Sequence, residues 1–109
     1  GSVDNIPITP TLLNGWVDFG SGYAPATYWR DNGRTVHLQG LIKDGTATPG
    51  TSMFVLPVGY RPSERLIFAM VSNNALARVD VGADGSVMAE AGTSATWLSL
   101  SGISFFATQ

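Results

Sequence analysis

Cysteine is absent from the 109 residues, which excludes a disulfide scaffold and every thiolate metal site. Histidine occurs once, at position 37, so no tetrahedral zinc site can be assembled, and neither a metal nor another cofactor is expected. Charge is scarce: charged residues make up 13% of the chain, about half the usual ~25%. Six Lys and Arg against eight Asp and Glu give a formal net charge of −2, without the basic field that collects a nucleic-acid backbone. No apolar run approaches the ~20 residues of a membrane-spanning helix; the longest, Leu66 to Val71, has the length of a strand. Neither nucleic acid nor membrane insertion is therefore expected.

Apolar material is ample, with 44% hydrophobic residues and a mean hydropathy of +0.14. The length suits one compact unit, at roughly 100–200 residues per domain. So small a domain buries only about two-thirds of its unfolded surface, which makes additional burial between subunits a reasonable expectation. Gly1-Ser2 reads as the remnant of a removed tag. Residues 3–11, punctuated by Pro7 and Pro10, read as an extended lead-in from an upstream segment, and residues 12–109 as the folded unit.

Turn residues recur about every ten positions, and no stretch sustains a 3.6-residue period, which predicts an all-β sandwich of jelly-roll type with almost no helix. Residues 26–30 and 34–43 flank Asp31-Asn32-Gly33 and predict a hairpin with Asn32 and Gly33 at positive φ. In its second arm Val36 and Leu38 alternate with Thr35, His37 and Gln39 up to a bulge at Gly40. Pro57 and Pro62 bracket a corner around Tyr60. Residues 65–72, 75–81 and 86–91 form a meander across Asn73-Asn74 and Ala83-Asp84-Gly85, and residues 97–107 a last strand interrupted at Ser101-Gly102. In the first strand of the meander Leu66, Phe68 and Met70 share one face, and Ile67, Ala69 and Val71 share the other. One face can meet the core. The other needs a neighbouring subunit or a covering loop.

Enzyme signatures are missing. His37 sits on the polar phase of its strand, and no Gly-x-Ser-x-Gly elbow presents a nucleophile to it. Carboxylates are numerous enough for a glycosidase pair, but Asp31, Asp44 and Asp84 all stand in turns where Asp caps backbone amides. Aromatic rings beside amides and hydroxyls on a weakly charged surface are instead the materials of sugar recognition. Trp29, His37 and Trp97 are the candidate contacts, with Asn73 and Asn74 as polar partners, although turn geometry alone accounts for the asparagine pair. Trp16 is assigned to the core or to an interface, and Ile67, Ala69 and Val71 to a subunit seam.

The order of segments carries a resemblance. Asn14-Gly15-Trp16-Val17-Asp18-Phe19-Gly20, Gly22-Tyr23-Ala24-Pro25-Ala26 and Val36 to Lys43 are followed by Leu56-Pro57-Val58-Gly59-Tyr60-Arg61-Pro62. Ala77 to Val81 with Asp84-Gly85, and then Ser99 to Phe105, complete the series. From Leu12 to Phe106 this succession resembles C-terminal head domains of bacteriophage tail fibres and related receptor-binding proteins. The resemblance implies a homotrimeric β-sandwich at the tip of a fibre shaft, extracellular on the virion, attaching the particle to a bacterial surface glycan or other receptor without catalysis. Related heads occur on tailocins and contractile injection particles. A trimerisation cap or decoration domain without a ligand, or a depolymerase module, are the alternatives from other classes.

Overall fold

Ten strands form where β-branched and aromatic residues alternate with polar ones between turn residues. They are β1 (Val17–Asp18), β2 (Thr27–Arg30), β3 (Thr35–Gln39), β4 (Leu41–Lys43), β5 (Thr51–Val55), β6 (Leu66–Ser72), β7 (Ala75–Val81), β8 (Ser86–Ala89), β9 (Leu98–Ser99) and β10 (Ser104–Phe106). The structure, a computed structural model, describes residues 4–108; Gly1 and Ser2 lie outside them. Among the described residues there is no helix. All pairings between strands are antiparallel, in a seven-stranded sheet of order β1-β4-β9-β6-β7-β8-β5 and a three-stranded sheet of order β10-β3-β2. The inner faces meet in one core, where Val36, Leu38 and Phe105 of the small sheet pack with Phe54, Val79, Val81 and Val87 of the large one. Phe68 lies against Phe105, and Tyr28 stacks on Phe54, across the layers.

The chain passes between the sheets at the two positions expected to be bulges. Gly40 separates β3 in the small sheet from β4 in the large one, and Ser101-Gly102 separates β9 from β10 in the opposite sense. The two bends are joined: the Gly40 N–H donates to Ser101 Oγ at 3.0 Å, and the Leu100 N–H donates to the Gly40 carbonyl at 2.8 Å. A paired ribbon thus turns a corner of the sandwich, a known use of strand irregularities. Gly40 has φ +127°, and a Cβ there would lie 2.6 Å from backbone atoms of Pro25 and Ala26, so no other residue fits.

The first hairpin forms with a different turn from the one its sequence suggests. Positive φ falls on Arg34 (+67°) and not on Asn32 or Gly33. Asp31 is responsible: its Oδ1 accepts from the amides of Gly33 and Thr35, and its carbonyl accepts from Arg34 N–H. That arrangement selects a three-residue loop, a type I turn followed by one left-handed residue. Asn73 and Asn74 both have positive φ (+47° and +66°), as a two-residue hairpin requires.

Of the two roles the sequence leaves for Trp16, the structure gives it the core. It is 2% exposed, its indole lies where a side chain on Gly45 would stand, and its N–H donates to the Thr46 carbonyl at 3.1 Å. It is therefore unavailable to a subunit seam. The opposite holds in β6. Leu66, Phe68 and Met70 turn inward, whereas Ile67 (63%) and Val71 (50%) are exposed with Ala69 between them, and Leu76, opposite Val71 on β7, is 75% exposed. No loop among the described residues covers this face.

Candidate functional site

The outer face of the three-stranded sheet is built by the period-2 alternation of its strands. Tyr28, Val36, Leu38 and Phe105 point inward, which leaves Thr27, Trp29, His37, Gln39, Ser104 and Phe106 on the outer face. Register aligns them in rows: Trp29 opposite His37 opposite Ser104, and Thr27 opposite Gln39. The Trp29 and His37 rings stack at 5.3 Å between centroids and 17° between planes.

The imidazole is held from its other end. His37 Nε2 lies 3.0 Å from Asp31 Oδ2. The His37 hydrogen bond, followed by those from the Thr35 and Gly33 amides, keeps the Asp31 carboxyl below its ordinary range against the opposing effect of desolvation. An ionised carboxylate only accepts, so Nε2 carries a proton. The residue that shapes the hairpin loop thus also fixes the ring on which Trp29 rests.

Two hollows flank the indole. One, of about 330 Å³, is lined by Trp29, His37, Gln39 and the segment Ser101 to Ser104; the other, of about 240 Å³, by Asn5, Pro7, Thr27, Trp29 and Gln39. Asn5 and Pro7 reach this hollow because the chain around them runs along β2: Ile8 and Tyr28 exchange two backbone hydrogen bonds, and the Asn5 N–H donates to the Arg30 carbonyl.

Asn74 and Trp97 lie elsewhere, in a cleft of about 400 Å³ with Phe19, Tyr23 and Leu41. Phe19 and Tyr23 meet edge to face, and Lys43 Nζ stands 5.3 Å from the Phe19 ring centre. Asn73 joins this region through its N–H, which donates to the Trp97 carbonyl at 3.1 Å. The five candidate contacts therefore fall into two groups, Trp29 with His37 and Asn73 with Asn74 and Trp97. Gln39 was legible in the alternation of β3, while Ser104 was hidden by the irregularity at Ser101-Gly102. Phe19 and Tyr23 carried a weak signal, as aromatics on either side of Gly20-Ser21-Gly22.

The outer face of the large sheet has a different character. Ile67, Ala69 and Leu76 border an apolar groove of about 440 Å³. Beside it Asp80, fully buried, accepts from Arg65 Nε at 2.7 Å and from both Arg78 Nε and Nη2 at 2.8 Å. Arg65 Nη2 also reaches Glu90 at 3.0 Å. No group of three or more His, Asp or Glu able to hold a metal ion occurs among the described residues.

No protein-family model matches this sequence, and no curated protein matches it. A solved structure does: the crystal structure of the receptor binding protein (gp15) of Listeria phage PSA superposes with a TM-score of 0.75 over 95% of this chain, at 19% sequence identity. The chain spans 66% of the length of that protein. The likeness to phage receptor-binding heads read from the order of segments is thus borne out in the architecture: the chain has the antiparallel all-β fold of a phage receptor binding protein.

Proposed function

We propose that this domain is the receptor-binding head of a phage tail fibre or related particle, that it attaches to a glycan on the bacterial surface, and that it does so through the outer face of the three-stranded sheet. The observation that carries the reading is the Trp29–His37–Ser104 row with Gln39 and Thr27 beside it. An indole offers a sugar a flat apolar platform at little entropic cost, and amide and hydroxyl groups around it can satisfy the sugar hydroxyls. The fold shared with a phage receptor binding protein supports the same role. Such a head works on the virion, outside the cell.

The exposed stripe of Ile67, Ala69, Val71 and Leu76 supports self-association, and a homotrimer is the assembly we propose. Apolar side chains so disposed gain about 25 cal/mol for each Å² removed from water. The same stripe favours a second reading, a trimerisation cap without a ligand.

Pull-down of the isolated domain on whole bacteria from several genera, with and without removal of surface glycans, separates the two. Binding that disappears with the glycans supports the receptor-binding head. Assembly into trimers with no binding to any cell supports the cap.

A further inference from the structure

We propose that the ligand of the three-stranded face is a linear, electrically neutral saccharide of at least two sugar units, laid across Trp29 with one unit in each flanking hollow. The inference deepens the receptor-binding reading and rests on it.

Length follows from the shape of the face. The two hollows share Trp29 and Gln39 and have otherwise separate linings. His37 stacks on one face of the indole and lines the larger hollow only, so the smaller hollow meets Trp29 away from the imidazole. A single ring in either hollow leaves the other empty. A chain that crosses the indole reaches both, with the Gln39 amide placed to serve both units. Each hollow also has polar groups of its own: the His37 imidazole and Ser104 hydroxyl on one side, the Thr27 hydroxyl and Asn5 amide on the other. Groups that both donate and accept match the hydroxyls of a sugar.

Neutrality follows from the charges. No Lys or Arg lines either hollow. The arginines nearest in sequence are turned away: Arg30 onto the Gly59 carbonyl, Asp4 and the Tyr60 ring, and Arg34 onto the Ala107 carbonyl. The basic ring in the larger hollow, His37, is already paired with the Asp31 carboxylate. A uronate or phosphate would find no Lys or Arg in either hollow to receive it. An extended peptide is disfavoured too, because the β2 edge beside the smaller hollow is already bonded to Asn5 and Ile8.

The test uses surface polysaccharide released from a bacterium that the domain binds, partly hydrolysed and fractionated by size and by charge. Dissociation constants are measured by NMR titration with neutral mono-, di-, tri- and tetrasaccharide fractions and with the acidic fractions. Neutral fractions are expected to gain at least tenfold in affinity from one unit to two and little beyond three. Thr27→Tyr, which fills the smaller hollow, and Ser104→Tyr, which fills the larger, are each expected to abolish that gain, so that within each variant the disaccharide binds no more tightly than the monosaccharide. Equal affinity at all lengths, an unchanged gain in both variants, or binding of acidic fractions alone would overturn this proposal while the domain still binds cells. Failure to bind any cell would remove the receptor-binding reading itself, and this proposal with it.

Discussion

Replacing Gly40 by alanine tests the corner that positions the site. At φ +127° a side chain is strained, at a cost of roughly 1–3 kcal/mol. The added Cβ would also lie 2.6 Å from Ala26 N, Ala26 Cα and Pro25 O, all backbone atoms that cannot swing aside, and such overpacking costs about 1–3 kcal/mol more. The sum is roughly 2–6 kcal/mol from a total stability of about 5–15. At ~4 °C per kcal/mol the melting temperature should fall by at least about 8 °C. Gly102→Ala is the control, since Gly102 has φ +102° with no atom within 4 Å of its Cβ position, leaving only the ~1–3 kcal/mol of backbone strain. Chemical denaturation of both variants beside the parent measures the difference. Indistinguishable losses in the two variants would refute the argument that Gly40 is required by the close passage of the Pro25-Ala26 strand entry.

Light scattering of the unaltered domain at micromolar concentration should give a trimer mass and Ile67→Asp a monomer mass, because a charge in a desolvated seam costs several kcal/mol; a monomeric parent contradicts the assembly. Acid should destabilise the domain partly through Asp80, whose carboxyl is held below its ordinary value of 3.8 by the Arg78 hydrogen bonds first, and then by Arg65, against the effect of burial. With the folded value depressed, this stabilisation is complete above pH 4 or so and lost as pH falls through the folded value. Asp80→Asn should therefore show a shallower decline in melting temperature between pH 5 and about 2, and an identical decline would count against the Arg65–Asp80–Arg78 network as its source. If the second cleft also contacts receptor, Trp97→Ala should weaken cell binding by more than about 1 kcal/mol in a folded protein; unchanged binding would confine recognition to the three-stranded face.

How much of this was legible in the sequence differs from element to element. In β3 the alternation of Val36 and Leu38 with His37 and Gln39 fixes which side chains face out, because the period of a strand is two. Asn73-Asn74 identified a hairpin because asparagine accepts positive φ. The irregularities at Gly40 and Ser101-Gly102 were visible as breaks in pattern, but a break does not reveal that both strands leave one sheet for the other; that depends on their pairing, some 60 residues apart in sequence. Trp16 was ambiguous for the same reason, since its burial depends on Gly45, whose missing side chain makes room for the indole. The candidate contacts divide into two groups because tertiary pairing puts Trp29 beside His37 and Trp97 beside Asn74. The register that joins Trp29 to His37 is set by the Asp31 loop, whose turn type the Asn-Gly pair did not announce.

In the proposed function, Trp29 on the three-stranded face anchors a cell-surface ligand. The most direct measurement compares the affinity of the domain and of Trp29→Ala for a bacterium that the domain binds, with melting temperatures confirming that both are folded. Loss of an aromatic anchor should weaken binding by about 1–3 kcal/mol, or roughly 5- to 150-fold, with little change in melting temperature because Trp29 is only partly buried. Full affinity in a folded Trp29→Ala domain would show that this face does not hold the ligand through Trp29.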